Sequence, residues 1–269
     1  MTMKRSLLVF LLLTWLFPTS MAGISIIGKL ARTATIKPGE AFDGVIFIKN
    51  NGKQATDIRL FQTDYRSQSD GSNDYGEPGQ AQRSNANWIT VSPTRLKLAP
   101  GETQPVRYQG RAPAEVKRHG TYWSMIMIEP NEAPAITPDG QPDTVAVGLQ
   151  TTIRFAVQIV TEIGEGGTRS LQVLDKCLLN QEGKRALHLD VGNDGERLLI
   201  PTMTVELFNQ KGASMGRFLA GRARIYPGCS VRAKVDLTAV PAGKYVAMVL
   251  LDSGDAQVMG AQVDLELAP

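Results

Sequence analysis

Catalysis needs side chains that attack, move protons or hold ions, and this chain of 269 residues carries few of them. There are two histidines, His119 and His188, and two cysteines, Cys177 and Cys229. His188 lies in LHLDVGN and alternates with Leu187 and Leu189, which places it on the polar side of a strand. Asp190, two residues on, shares that side as a solvated neighbour. A histidine-based triad needs a nucleophile and an orienting acid around the ring, and this pattern supplies neither. There is no GxSxG, no HExxH, no phosphate-cradling glycine loop and no cysteine–histidine zinc spacing. No enzymatic activity and no cofactor are expected. Asp64, Asp70, Asp74 and Glu77 could offer oxygens to calcium, but their spacing is not that of an EF-hand. They read as part of a solvated loop, and no metal site is expected.

The chain opens on an export signal. Lys4-Arg5 is followed by the apolar run Leu7–Phe17 and by Ser20-Met21-Ala22, so cleavage is expected after Ala22. The run is shorter than the ~20 apolar residues that a membrane span needs, and no later stretch qualifies. The mature chain is therefore expected to be periplasmic, without a membrane span. Cleavage removes two cations from a formal charge of +3 and leaves +1. With no basic run, a nucleic-acid partner is not expected. In an exported protein an even pair of cysteines predicts a disulfide, Cys177–Cys229. On the loop-entropy account it would add about 4 kcal/mol.

The elements that would position any site are strands. TVAVGLQTTIRFAVQIVTEI, residues 144–163, alternates throughout. Val145, Val147, Leu149, Ile153, Phe155, Val157, Ile159 and Ile163 share one face. Such a strand would reach about 65 Å if unbroken, so it must bend between sheets or overhang the fold. An overhanging strand edge pairs with other chains. Before it come short strands at Ala55–Phe61, Trp88–Val91, Leu96–Leu98, Val106–Tyr108 and Thr121–Ile128, separated by Gly, Pro and Asn turns. The long polar stretch 62–87 predicts a functional or mobile loop. Trp88 and Trp123 are expected in the core rather than on a carbohydrate platform.

The second half repeats the first in outline. Lys49-Asn50-Asn51-Gly52 has a counterpart in Gly192-Asn193-Asp194-Gly195. Pro100-Gly101 has one in Pro227-Gly228, and Gly120–Met125 one in Gly243–Met248. Three glycines within 164–167 predict a hinge. The expected fold is all-β: two tandem immunoglobulin-like β-sandwiches, residues 23–163 and 166–269, after a cleaved signal at 1–22.

ANWITVSPTRLKLAPGETQPVRY (86–108), GTYWSMIMIEP (120–130) and VAVGLQTTIRFAV (145–157) resemble the amino-terminal domain of PapD-like periplasmic pilus chaperones, the chaperone–usher family. The resemblance covers residues 24–160 and marks a divergent member. It implies a chaperone that binds an exported pilus, fimbrial or similar subunit by strand addition and supports its assembly. An outer-membrane usher is the further partner it suggests. Carried over residue by residue, Val145, Val147 and Leu149 would enter the subunit's groove. Arg154, with Arg32 nearby, would anchor the subunit's terminal carboxylate. The alternative is a non-catalytic periplasmic or surface module that binds a glycan or protein ligand.

Overall fold

The computed structural model describes residues 23–131, 153–181, 183–254 and 258–268. The expected signal at 1–22 lies outside them, as do Val145, Val147 and Leu149. Among the described residues no helix is long and apolar enough to cross a membrane.

The chain forms two β-sandwiches. The first contains β1 (Ile24–Ile27), β2 (Ala31–Ile36), β3 (Ala41–Asn50), β4 (Thr56–Thr63), β5 (Arg66–Ser67), β6 (Asn73–Asp74), β7 (Ile89–Ser92), β8 (Arg95–Leu98), β9 (Thr103–Arg111), β10 (Gly120–Asn131) and β11 (Phe155–Ile163). One sheet runs β1-β3-β9-β7 and faces another of order β2-β11-β10-β4-β8, while β5 and β6 form a small hairpin. The second sandwich contains β12 (Leu171–Gln181), β13 (Lys184–Asn193), β14 (Thr202–Asn209), β15 (Ser214–Arg222), β16 (Ser230–Asp236), β17 (Gly243–Asp252) and β18 (Met259–Leu267). Its sheets run β12-β13-β16 and β15-β14-β17-β18.

Period-two alternation puts the apolar side chains of each strand between the sheets. Ile46, Ile48, Leu98, Val106, Ile126, Ile128, Val157, Ile159 and Ile163 fill the first core. Leu187, Leu189, Val191, Val205, Leu207, Val249 and Leu251 fill the second. The cores are separate, as two tandem sandwiches require.

The repeated motifs have one structural meaning in both sandwiches. Asn50 Nδ2 donates to the carbonyls of Gln54 and Leu98, and Asn50 Oδ1 accepts from Gly52 N–H. Asn193 Nδ2 donates to the carbonyls of Arg197 and Ile225, and Asn193 Oδ1 accepts from Gly195 N–H. Each asparagine carbonyl accepts from the glycine of its Pro-Gly turn, Gly101 or Gly228. Both asparagines are buried, so the carboxamide satisfies backbone groups that strand ends would otherwise leave unpaired. The tyrosines match too. Tyr122 O–H donates to the Arg118 carbonyl and Tyr245 O–H to the Pro241 carbonyl, four residues back in each case. This is the tyrosine corner of immunoglobulin-like sandwiches.

Two expectations are corrected. Cys177 and Cys229 are not bonded to each other; Cys177 is exposed and Cys229 buried. Cys177 pairs across β12 with His188, whereas Cys229 precedes Ser230, which pairs across β16 with Gly192. β13 lies between them, so they sit two strand spacings apart, about 10 Å, and at levels five residues apart along it, His188 against Asn193, about 17 Å. A disulfide needs Cα atoms within about 7 Å.

The second correction concerns the stretch 62–87, which is a tie between the sandwiches. Asp64, buried, accepts from the N–H groups of Gly79 and Ala81 at 3.0 and 2.6 Å and from Ser84 Oγ. It thereby gathers the loop around a carboxylate. Ser69 Oγ then donates to Asp190 at 2.9 Å and Ser69 N–H to Ser230 Oγ at 2.9 Å. Arg83 bonds Glu196 at 3.1 Å and the His119 carbonyl at 3.1 Å. Among the described residues no cluster of acids, histidines or cysteines is arranged to hold a metal.

Candidate functional site

Of the residues singled out in the sequence for binding, Arg32 and Arg154 are described, and both belong to the first sandwich. The chain leaves the first sheet after β1 and joins the second at β2. Gly28, at φ +95°, makes the turn between them, a conformation glycine adopts without strain. β2 then runs parallel to β11, beginning with Ala31 opposite Gln158. Gln158 N–H donates to the Leu30 carbonyl at 2.8 Å. Upstream of that bond, residues 153–157 have no ladder partner on this side among the described residues. Their other side is paired to β10 as far as Ile128 opposite Phe155.

This open edge is flanked by apolar side chains in solvent. Leu30, whose carbonyl accepts from Gln158 where the ladder ends, is 51 % exposed, and Ile153 is 52 % exposed. Exposed hydrophobes at an unpaired edge suit it to another chain.

Downstream, β11 is buried on both faces. Val157, Ile159 and Ile163 enter the core, while Val160 packs outward with Trp123, Tyr226 and Cys229. Thr161 Oγ1 accepts from Asn85 at 3.2 Å. Alternation predicts one solvated face here. The second sandwich and the 62–87 stretch remove it.

Arg32 lies on β2, opposite Ile159. It falls on the same side of the strand as Ala34 and Ile36, which pack into the core. Its Nε is buried and meets no acceptor, and its guanidinium lies beside Gly28, where a Cβ would come within 3.3 Å of it. Burial pushes the Tyr108 phenol pKa up, and the Arg32 charge partly opposes that. Arg32 is thus a half-buried cation with an unfilled donor at the rim of the sandwich.

Arg154 lies elsewhere. It precedes β11, level with Glu129, and its Nε donates to Glu129 Oε1 at 2.5 Å. Arg59 takes the other oxygen at 2.6 Å. Arg154 and Arg32 are five residues apart in register, roughly 16 Å along the sheet. The paired anchor implied by the resemblance is therefore not drawn together: Arg154 is paired with Glu129, and among the described residues Arg32 Nε meets no acceptor.

The His188 row holds no nucleophile machinery. Asp190, expected to be solvated, is buried and receives Arg232 Nε and Nη2 at 2.7 and 2.8 Å. The Arg232 hydrogen bonds, helped by Ser69, hold its carboxyl below the usual range. Burial, with Lys234 and Arg232 nearby, pushes His188 down. The acid is spent on structure.

No family model and no curated protein matches the chain. Solved structures do. One, from a chaperone–tip adhesin complex of CFA/I fimbriae biogenesis, is 12 % identical, with 92 % of this chain and 100 % of that chain covered at a TM-score of 0.48. The class 5 fimbriae chaperone CfaA is 12 % identical over 91 % and 99 %, with a TM-score of 0.44. The chaperone–subunit pre-assembly complex of archaic Csu pili from Acinetobacter baumannii gives 15 % identity over 90 % and 98 %, with a TM-score of 0.41. Arg59, Arg95 and Glu129 were not singled out from the sequence. They sit on three different strands, and only the register brings them into one row with Arg154.

Proposed function

We propose that this protein is a non-catalytic periplasmic chaperone, exported by residues 1–22, that binds an exported pilus- or fimbria-type subunit by adding a strand to the open edge of β11. The observation that carries the proposal is that edge: residues 155–157 pair with β10 on one side and with nothing described on the other. Main-chain ladder bonds there would supply affinity, and alternate apolar side chains specificity. Leu30 and Ile153, both exposed, stand at this edge. The resemblance of residues 86–157 to pilus chaperones supports the same reading. On it, Val145, Val147 and Leu149 would extend the edge upstream, and the Arg32 guanidinium, beside the Gly28 turn, would take the subunit's terminal carboxylate. The two-sandwich body serves as a rigid platform, and an usher is the downstream partner.

A single substitution tests the edge. Gln158 N–H points outward, toward β2. Strand alternation makes the Ala156 N–H point outward as well, away from β10. Ala156→Pro removes an outward donor and no β10 ladder bond, a change that edge strands tolerate. Co-purification with a β-rich subunit lacking one strand should be lost, with the melting temperature nearly unchanged. Capture undiminished by Ala156→Pro, in a folded variant, would sink the proposal.

A further inference from the structure

The outer face of the five-stranded sheet carries a lateral row of charges. Register places Glu129 opposite Arg59, and Arg59 opposite Arg95. Arg154 adjoins Glu129 from the other side. Across the strands the row therefore reads Arg154, Glu129, Arg59, Arg95. Glu129 bridges its two neighbours with both oxygens: Arg154 Nε holds one, and Arg59 Nε and Nη2 hold the other at 3.1 and 2.6 Å. The gap between Arg59 and Arg95 has no such acid, and Arg95 has no acidic partner among the described residues. Like charges directly opposite on neighbouring strands are destabilising. Arg59 is further braced by the Phe61 ring, 4.6 Å from its guanidinium carbon. All four residues line one groove of about 870 Å³, with Asp57, Lys97 and Pro130 among its walls.

We propose that this groove docks an acidic segment of a partner polypeptide, one carboxylate of which bridges Arg59 and Arg95 as Glu129 bridges Arg154 and Arg59. The row displays its own mode of recognition: planar guanidinium forks closing on a carboxylate. One isolated acid flanked by uncharged residues fits best. Asp57 and Glu129 would repel a continuous polyanion, which argues against a nucleic acid or an acidic polymer. The groove adjoins the β11 edge at Arg154, but Arg59 and Arg95 lie beyond β10, on β4 and β8, so the bridged pair stands whether or not a strand is added at that edge.

Nitrogen-15 NMR of the arginine Nε–H groups in the mature chain tests this directly. The probe is an amidated Gly/Ser/Val peptide with one central Glu, compared with the same peptide carrying Gln. The Glu peptide should shift the Arg59 and Arg95 signals saturably, and the Gln peptide should bind on the order of tenfold more weakly. Arg95→Gln, at an exposed position, should abolish the Arg59 shift while the Tyr226 environment stays unchanged and the melting temperature does not fall. Four results would overturn the proposal: no shift with the Glu peptide, equal binding of the Gln peptide, undiminished binding by Arg95→Gln, or sulfate binding as tightly as the peptide.

Discussion

The rings of Trp123 and Tyr226 are stacked across the junction, centroids 4.6 Å apart and planes inclined by 22°. One belongs to each sandwich, so the stack couples the two bodies. Tyr226 O–H also donates to Gln158 Oε1 at 2.6 Å, and Trp123 Nε1 donates to the Tyr65 carbonyl at 2.7 Å. Around the stack, Arg197 bonds Glu162 at 2.9 Å and the carbonyls of Gly164 and Gly166. The Gly-rich stretch 164–167 is thus clamped by an arginine and does not act as a free hinge.

Tyr226→Ala should uncouple the sandwiches. Truncating a fully buried aromatic costs about 3–5 kcal/mol. Calorimetry should then resolve two transitions where the native chain gives one. Tyr226→Phe removes only the hydrogen bond to Gln158, worth about 1 kcal/mol, and should keep a single transition. Two transitions already present in the native chain would show that the stack does not couple the bodies.

Alkaline pH should act on the same residue. Burial pushes the Tyr226 phenol from 10.0 up to about 12. Its neutral form therefore contributes stability that is complete below pH 10 and is lost as pH rises to about 12. The loss is at most about 3 kcal/mol. Burial also raises Tyr65, Tyr108 and Tyr122, so Tyr226→Phe should flatten only part of the decline in denaturant midpoint between pH 9 and 11. Identical slopes for the variant and the native chain would contradict this.

Asn193→Ala should destabilise the second sandwich by about 3 kcal/mol or more. It leaves the Arg197 carbonyl and the Gly195 N–H without the side chain that serves them, each unsatisfied buried group costing about 1–3 kcal/mol, while the Ile225 carbonyl keeps the Leu199 N–H. Asn50→Ala should do the same in the first sandwich. Urea titration followed by near-ultraviolet circular dichroism measures both. A loss below about 1 kcal/mol in either would mean water replaces the carboxamide.

The two thiols should differ in reactivity. Cys177 is exposed, whereas Cys229 is buried and its pKa is pushed up by that burial. Under native conditions a dithiobis-nitrobenzoate reagent should titrate one thiol rapidly. The second should react only in denaturant. Finding Cys177 and Cys229 joined by peptide mapping would overturn the separation seen across β13.

Asp190→Asn tests the tie between the 62–87 stretch and the second sandwich. The native carboxyl titrates below its ordinary 3.8 because Arg232 and Ser69 bond it. Its contribution is therefore present above about pH 4 and lost as pH falls through the lower, folded value. Proteolysis within 66–74 should speed up in the variant at pH 7. The difference from the native chain should vanish in acid. Equal cleavage rates at pH 7 would show that the tie does not hold the loop.

Local patterns in the amino-acid sequence determined the strands, the turns and the doubling of the fold. Alternation of Val, Ile and Leu is a property of single strands, and Asn-Gly and Pro-Gly signals act within a few residues. The matched asparagines, Asn50 and Asn193, and the matched tyrosines, Tyr122 and Tyr245, could therefore be found by comparing the two halves. What lay between distant segments was decided by tertiary structure alone. An even cysteine count says nothing of distance, and β13 keeps Cys177 from Cys229. A polar loop looks solvated until Asp64 gathers it and Ser69 reaches Asp190. Arg32 and Arg154 stand in suitable strands, yet parallel register sets them about 16 Å apart. Arg59 and Arg95 are unremarkable in sequence, and only strand pairing sets them face to face.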